Sequence, residues 1–388
     1  MVTQTYDAVI IGAGYIGCAV AYHLTAAGLR TALLDRGGVA AGASQANYGN
    51  VQVQDAELGH SLPMVTAGYA RFRELEEELG SSISYRRLGS LLLIETETQW
   101  KTMAARLPAL QAAGINAELV PAGCLPELEP LLDPGSVLGA CYHPSEGQVY
   151  PFALIWAYLR RGQALGLALH THTEVIGFEV IGGQLQGIRT NRGNLSTKVV
   201  VLATGAWTSR LGQTLGRTWD IPFVHGQAIV TERVERRLNN HIASAAFFED
   251  IHEEADPSNS VSAVLAISQA THGNFLLGEV GLVTDNLNSE ATPGGQAAIA
   301  KLVSQYFPAM RRLRILRGWA APVAFTGDNL PFLGPVDGIQ GLILATAFKS
   351  TVIVTPLVGE TIAQLVVEGR TELDLTPFSP NRTIDGGQ

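Results

Sequence analysis

Gly12-Ala13-Gly14-Tyr15-Ile16-Gly17 is a G-x-G-x-x-G turn, and it decides the fold of this chain. A short apolar strand, residues 6–11, precedes the turn, and a helix-prone stretch, residues 15–27, follows it. A second apolar strand covers residues 29–34, and Asp35 stands at its end, 23 positions after the first glycine. This order of strand, glycine turn, helix, strand and acidic residue predicts a dinucleotide-binding βαβ unit. The alternative is a glycine-rich turn without a ligand.

The three glycines of the turn have different expected roles. Gly12 allows the tight turn, Gly14 lets the backbone approach a pyrophosphate, and Gly17 lets the helix pack close to the strand. The N-terminus of the helix carries a partial positive charge, which favours a phosphate group. The carboxylate of Asp35 can accept hydrogen bonds from a ribose.

Composition limits the classes of function. The 388 residues are 46% hydrophobic and 16% charged, which is enough apolar material for a substantial core. A net charge of -9 argues against nucleic acid as a partner. No apolar run reaches the roughly 18 residues of a membrane span, and the first ten residues do not resemble a secretion signal. Three widely separated cysteines predict neither a metal site nor a disulfide framework. We therefore expect a cytoplasmic protein, with a peripheral position at the inner membrane face as the other compatible location.

The rest of the pattern predicts an α/β fold with a second domain of α+β type. The continuous apolar run 198–205 is typical of a buried parallel strand. Short strands and turn residues between about 222 and 281 indicate an antiparallel sheet. Residues 342–345 are predicted as a strand, and Thr355-Pro356 as the start of a helix that runs to Val367. We expect a Rossmann-like domain formed by 1–80, 145–220 and 318–388, interleaved with an antiparallel-sheet substrate domain formed by 81–144 and 221–317.

Four blocks of sequence occur in one order over nearly the whole chain. They are the glycine turn, GASQANYG at 42–49, VLATGAW at 201–207, and DNLPFLG at 328–334. Together they resemble the FAD-dependent amine and amino-acid oxidoreductases, the superfamily of D-amino acid oxidase, glycine oxidase and sarcosine oxidase. The second block is similar to that family's loop beside the flavin, and the third to its second FAD-contacting strand and turn. The resemblance implies FAD as the cofactor.

Two further stretches are similar to the heteromeric, dye-linked branch of this superfamily. ISQATHGNFLLG at 267–278 resembles its R/Q-x-x-x-x-G-x-x-x-x-G pattern, and VQVQD at 51–55 follows the flavin loop as in that branch. The branch includes the β subunits of opine oxidases, hydrogen cyanide synthase, and proline or hydroxyproline dehydrogenases. The resemblance implies a small-molecule amine substrate and one or more partner subunits.

The resemblance also assigns residues to the cofactor. The three glycines would hold the pyrophosphate of FAD, and Asp35 the adenosine ribose, where the family more often has Glu. The helix expected to start near Pro356 would aim its positive end at N1 and C2=O of the flavin. The other implied contacts to FAD are Arg36, Ala43, Ser44, Val175, Ala203, Thr204, Gly205, Phe348, Lys349, Ser350 and Thr351. The FAD is expected to be non-covalent, and a second flavin, FMN, at a subunit interface is compatible with the heteromeric branch.

The substrate side departs from the family pattern at three places. Val323 stands where the single-chain enzymes place an Arg that binds the substrate carboxylate. Thr346-Ala347 replaces the usual Gly-His, and Ala266 or a neighbour replaces the active-site Tyr. These departures leave open how the substrate is bound.

Five residues are the candidates for contact with substrate. Asn47 and Tyr48 belong to the flavin loop, and Gln52 lies close behind them. Lys349 matches an Arg that lies over the flavin in glycine oxidase, and the alternative is a loop lysine that points to solvent. His225 stands where the family commonly has Arg before Gly-Gln, and the alternative is a structural hydrogen-bonding residue at a strand start.

The resemblance implies oxidation of the C–N bond of an amine or amino acid, with hydride transfer to the flavin. The favoured interpretation is the catalytic β subunit of a heteromeric dehydrogenase that acts on an opine-like secondary amine. One alternative is a single-chain glycine, sarcosine or D-amino acid oxidase that uses O2. The other is a non-catalytic, FAD-containing assembly subunit.

Overall fold

The computed structural model describes residues 4–248, 261–284 and 286–384. The strands in these ranges are β1 (Gln4–Thr5), β2 (Ala8–Ile11), β3 (Thr31–Leu34), β4 (Asn50–Val51), β5 (Arg86–Ile94), β6 (Glu118–Pro121), β7 (Gly139–Gln148), β8 (Ala168–His170), β9 (Val175–Ile181), β10 (Gln184–Thr190), β11 (Gly193–Ser196), β12 (Val200–Leu202), β13 (Phe223–Arg233), β14 (Asn240–Ser244), β15 (Val261–Gln269), β16 (Asn274–Val283), β17 (Ile315–Ala324), β18 (Phe332–Pro335) and β19 (Leu342–Thr346). The helices are α1 (Tyr15–Ala26), α2 (Ser61–Arg71), α3 (Leu75–Leu79), α4 (Glu97–Ala112), α5 (Leu125–Leu128), α6 (Pro151–Ala164), α7 (Thr208–Gln213), α8 (Pro293–Tyr306) and α9 (Thr351–Glu368).

A six-stranded sheet carries the glycine turn and has the order β18-β19-β12-β2-β3-β8. Its strands are parallel, except that β18 is antiparallel to β19. The central strands β2, β3 and β12 are buried along their whole length, as their continuous apolar sequences require. This is the expected Rossmann-like sheet. The first and last parts of the chain meet in it, because β12 pairs with both β2 and β19.

Helix α9 covers this sheet together with α1, and the predicted start of α9 was wrong. The helix begins at Thr351, so Pro356 lies inside it. The Thr355 hydroxyl donates to the Thr351 carbonyl over 2.7 Å, as an in-helix residue does, and it does not cap the helix. Proline costs a helix one backbone hydrogen bond, but packing outweighs this loss. Helix α9 packs closely on α1 and α2 at two glycines. A Cβ added to Gly359 of α9 would approach Ala19 of α1, and a Cβ added to Gly68 of α2 would approach the backbone of Ile353 in α9.

By length and composition α9 could also cross a membrane, but 56% of it is buried inside the protein. It lies against α1 and α2, which identifies it as a core helix of this fold.

A nine-stranded sheet forms the second layer, with the order β17-β13-β16-β15-β14-β5-β7-β4 and with β6 on the far side of β7. It is antiparallel as predicted, with one exception: β5 and β14 run parallel. Such a pair needs a long crossover, and about 150 residues separate the two strands in the chain. Helix α8 packs on this sheet through Ile299 and Val303, which join the core around Ile229 and Phe275.

A smaller sheet, β1-β11-β10-β9, lies beside the Rossmann-like sheet. Its hairpins turn at Gly182-Gly183 and at residues 191–192. The predicted domain boundaries stay a prediction. Two of them fall inside strands of the nine-stranded sheet, since β7 continues past residue 144 and β17 spans residue 318.

Candidate functional site

The glycine turn is closed against the third block of sequence. Gly12 has φ +106°, and a Cβ there would collide with the carbonyl oxygen of Ala203. A Cβ on Gly17 would collide with the Gly12 carbonyl oxygen. A Cβ on Gly14 would lie 2.8 Å from the Ser44 Oγ. Gly12 and Gly17 therefore require glycine for steric reasons, because the atoms in the way are backbone, whereas a Cβ on Gly14 would displace only the Ser44 hydroxyl.

The N-terminus of α1 faces the flavin loop. Gly14 is its N-cap and offers no side chain to the first-turn N–H groups. The Tyr15 N–H donates to Ser44 Oγ over 3.2 Å, which ties the 3-10 turn Ala43–Ala46 to the helix. The rest of this helix end is available to an anion, because peptide N–H groups and the helix dipole point the same way.

Asp35 and its neighbours lie where the family resemblance places the adenosine of FAD. The Asp35 carboxylate accepts the N–H groups of Ala13 and Gly37, each over 2.8 Å. A carboxylate has four lone pairs, so it keeps the capacity to accept from a ribose hydroxyl. The guanidinium of Arg36 lies 4.4 Å from the ring centroid of Trp207, and the buried Val175 begins the strand beyond.

The strand end at Ala203–Gly205 is supported by a chain of hydroxyls that sequence reasoning missed. The Thr204 and Thr208 hydroxyls lie 2.8 Å apart, and those of Thr208 and Thr346 lie 3.1 Å apart. Thr346 is the residue that replaces the usual family Gly. It links the end of β19 to the loop after β12, so the two cofactor-lining segments are held together.

The N-terminus of α9 forms the other side of the site. Ser350 is its N-cap and makes no side-chain cap, while the Thr351 hydroxyl donates to the Phe348 carbonyl over 2.8 Å. The first-turn N–H groups and the positive helix end are thus presented to a ligand. The corrected helix start brings this end directly to residues 348–351, where the flavin contacts were expected.

A cavity of about 190 Å³ lies between this helix end, the flavin loop and the nine-stranded sheet. Four of the five candidate substrate contacts line it, namely Asn47, Tyr48, Gln52 and Lys349. The polar residues of its lining are Asn47, Tyr48, Asn50, Gln52, Asp55, Ser244, Glu279, Lys349, Ser350 and Thr351. The nine-stranded sheet contributes an apolar wall that includes Leu92 and Leu265.

The charges of this lining are unevenly paired. The Lys349 ammonium forms an ion pair with Glu57 and lies 4.9 Å from the ring centroid of Phe247. Burial raises the pKa of Asp55 to about 6, although the nearby Lys349 opposes this shift. Burial also raises the pKa of Glu279. The sequence did not single out Asp55 or Glu279 as functional residues, because the two lie in separate motifs and carry no signature of their own.

Glu146 and His241 form a buried pair behind the cavity and support one of its walls. Glu146 Oε1 accepts the N–H groups of Val53 and Gln54, each over 2.8 Å, and Oε2 lies 3.0 Å from His241 Nε2. Burial raises the pKa of Glu146 to about 8 and lowers the pKa of His241 to about 4. Burial thus favours the uncharged form of both groups, a protonated carboxyl beside a neutral imidazole. The pair fixes the segment that carries Gln52 and Asp55.

His225 does not line the cavity, which corrects its assignment as a candidate catalytic residue. Its side chain is buried, and Nε2 lies 2.9 Å from the Asn288 carbonyl oxygen. This geometry matches the alternative role for His225, a structural hydrogen-bonding residue at a strand start. Val323 is exposed on the edge strand β17 and lies outside the lining, so it makes no substitute for the missing Arg. Gln269 is also structural, since its side chain bonds only to backbone groups, including the Arg237 N–H.

Comparison with known proteins identifies the group to which the chain belongs. A profile of the FAD-dependent oxidoreductase (DAO) family matches residues 7–365. The chain belongs to this family. Its fold is that of the solved glycine oxidase from Geobacillus kaustophilus, with a TM-score of 0.88 and 25% identity over 98% of this chain and all of that one.

Three curated relatives are similar over almost their whole length. Glycine oxidase from Geobacillus kaustophilus is 26% identical, with 98% of each chain covered. Sarcosine oxidase subunit beta from an Arthrobacter species is 27% identical over 99% of this chain and 92% of its own. Hydrogen cyanide synthase subunit HcnC from Pseudomonas aeruginosa is 27% identical over 97% of this chain and 95% of its own. The chain is an FAD-dependent oxidoreductase that acts on amino-acid or amine C–N bonds.

The residues present fit FAD. The glycine turn leaves room for a pyrophosphate at the open end of α1, and the uncapped end of α9 offers N–H groups to the flavin. The bound FAD supplies the two-electron acceptor of the reaction. The protein supplies the binding, the orientation and the charges around the substrate, and those charges come from the cavity residues described above.

Proposed function

We propose that this chain is the catalytic subunit of a heteromeric dehydrogenase, and that its substrate is a secondary-amine amino acid of the opine type. The observation that carries the proposal is the polar cavity at the N-terminus of α9, which has carboxylates and a lysine in one lining. A ligand that carries both an amine and a carboxylate is complementary to such a lining.

Lys349 is the residue we assign to the substrate carboxylate. It is the one Lys or Arg side chain in the lining of this cavity, within the described residues. Its present partner Glu57 is partly exposed, so exchange of one carboxylate for another costs little. This position also explains how the chain can do without an Arg at Val323.

Similarity to two subunits of larger enzymes supports the heteromeric part of the proposal. The names of the Arthrobacter and Pseudomonas relatives describe a subunit beta of sarcosine oxidase and a subunit of hydrogen cyanide synthase. The glycine oxidase relative is the observation in favour of the second candidate, a single-chain oxidase that uses O2.

The test is a substrate panel on the chain purified together with the proteins that copurify with it. Opines, proline, sarcosine and glycine are added, and dye reduction and O2 consumption are measured in parallel. We expect dye reduction with an opine, little O2 consumption, and a stoichiometric partner chain. Oxygen-linked oxidation of glycine or sarcosine by the isolated chain would establish the single-chain alternative. Absence of flavin bleaching with every amine under anaerobic conditions would establish the assembly subunit.

A variant pair tests the role of Lys349. K349M should raise KM for the carboxylate-bearing substrate at least tenfold, because a charge-assisted contact is lost, while K349R should retain most of the affinity. Equal KM values in wild type and K349M would show that the carboxylate is bound elsewhere. Acid extraction of the same preparations also shows whether FMN accompanies FAD.

A further inference from the structure

Two acidic residues line the cavity: Asp55, which has the Lys349 ammonium nearby, and Glu279, which has no cation near it among the described residues. Glu279 lies on β16 directly after Gly278, and its side chain contributes to the cavity lining. Within the described ranges, its carboxylate makes no hydrogen bond and no ion pair, in contrast to the buried carboxylates of Glu129 and Glu146. A carboxylate that is partly withdrawn from water and unpaired is costly, which indicates a partner from outside the chain.

Among the residues that the structure describes, the surroundings of Glu279 contain no free cation. The titratable groups that face the cavity from other elements are the Tyr48 phenol, the Asp55 carboxyl and the Lys349 ammonium. Lys349 is already paired with Glu57. The Tyr48 hydroxyl lies where a Cβ on Gly278 would be, and it is buried without a hydrogen-bond partner. The strands beside β16 add only apolar lining residues, including Leu265 and Ala266.

A second observation points to a polar ligand at the same place. Gln52 is 8% exposed and lines the cavity, and its side-chain amide has no hydrogen bond to any described residue. Buried amides of this kind are normally satisfied. The flavin ring does not meet the need of Glu279, since its carbonyl oxygens cannot pair with a carboxylate and it has a single N–H on the pyrimidine edge.

We propose that Glu279 receives the protonated amine of the substrate and accepts its proton. The inference rests on the proposed function, because it needs an amine as the substrate. It orients the substrate in the cavity, with the amine at Glu279 and the carboxylate at Lys349. Glu279 is thereby a catalytic residue, and Tyr48 is the neighbouring polar group that the amine can also reach.

The chemistry requires such a proton acceptor. At neutral pH an aliphatic amine is an ammonium ion, whose nitrogen has no lone pair to assist loss of a hydride from the adjacent carbon. Transfer of one proton breaks an N–H bond and forms an O–H bond on Glu279, and the electron pair stays on nitrogen. The neutral amine can then lose a hydride to become an iminium ion, which water hydrolyses. Burial raises the pKa of Glu279 and so makes it a better base toward an ammonium ion.

The test compares the holoenzyme with E279Q, E279D and a surface control, E290Q. The binding probe is tert-butylammonium, which has an ammonium group but no hydrogen on the adjacent carbon and therefore cannot be oxidised. Acetate is the probe for the carboxylate end. Both are titrated by the change in the visible flavin spectrum, so this readout does not depend on turnover.

We expect tert-butylammonium to bind wild type and E290Q equally, and E279Q at least tenfold more weakly, while acetate binds all three within about twofold. In turnover, E279Q should lower kcat/KM at neutral pH by about 10²-fold or more, and the loss should shrink as rising pH deprotonates the substrate itself. E279D keeps the charge and should retain part of both properties. It also replaces E279Q in the comparison if that variant does not retain FAD.

Equal binding of tert-butylammonium by wild type and E279Q would overturn the proposal, as would a turnover defect that does not change with pH. Failure of the proposed function has a different signature. In that case no amine bleaches the wild-type flavin, while the ammonium titration still reports on Glu279.

Discussion

The substitution Glu146→Gln tests the uncharged pair behind the cavity. Glu146 is fully buried, its Oε1 accepts two backbone N–H groups, and Oε2 meets His241 Nε2 at 3.0 Å. Glutamine has nearly the same shape. Its oxygen can accept the same two N–H groups, and its NH2 can donate to His241. The change therefore removes a titrating proton and leaves the packing in place.

The magnitude follows from the pKa of Glu146, which burial raises from 4.5 to about 8. Above pH 4.5 the folded protein holds a proton that the unfolded chain has released. The stability due to this group is thus complete below pH 4.5 and is lost as the pH rises toward 8. The whole shift corresponds to roughly 5 kcal/mol, and the part between pH 5.5 and 7.5 to about 3 kcal/mol.

The assay is urea unfolding of the FAD-loaded protein at pH 5.5 and 7.5, with tryptophan fluorescence and flavin release as the two signals. Between these pH values, wild type should lose about 3 kcal/mol of unfolding free energy relative to E146Q. The surface control E118Q should follow wild type. Parallel pH dependence of wild type and E146Q would show that Glu146 is ionised in the folded state, and the reasoning from burial would be refuted.

Two further outcomes are expected. G12A should abolish retention of FAD, because at φ +106° the added Cβ would collide with the Ala203 carbonyl oxygen. The control G38A has open space around its Cβ and should retain FAD. The ratio of absorbance at 450 and 280 nm measures the FAD content, and a G12A variant that retains FAD would contradict the steric argument. H225Q should leave kcat and KM within about twofold, since His225 bonds to the Asn288 carbonyl and lies outside the cavity lining, and a much larger loss of kcat would restore it as a catalytic candidate.

Much of the cofactor side could be predicted from sequence because its requirements are local. At Gly12 and Gly17 a single added carbon would collide with backbone, so the spacing of these glycines can be recognised in the sequence alone. The order of β2, α1, β3 and Asp35 can likewise be recognised in the sequence alone. The family resemblance assigned the small-residue loop with Ser44 to the cofactor, and the structure joins this loop to the helix end through the hydrogen bond from the Tyr15 N–H to Ser44 Oγ.

The start of α9 shows where local rules fail. Thr355-Pro356 has the pattern of a helix start, but burial of α9 against α1 and α2 extends the helix back to Thr351. The free energy of that packing exceeds the cost of one proline inside the helix. This shift decides where the positive helix end lies, and so it decides the position of the flavin side of the cavity.

The sequence by itself determined the βαβ unit, because its residues are close in the chain and its glycines are sterically fixed. It also indicated FAD and the family, through the resemblance of four blocks that occur in order along the chain. Only the tertiary structure brings the charged side chains of the cavity together. Glu279, Asp55 and Lys349 come from three distant segments, and Glu146 and His241 hold a fourth behind them. Their charge states depend on burial and on one another, and both properties exist only after the sheets have packed.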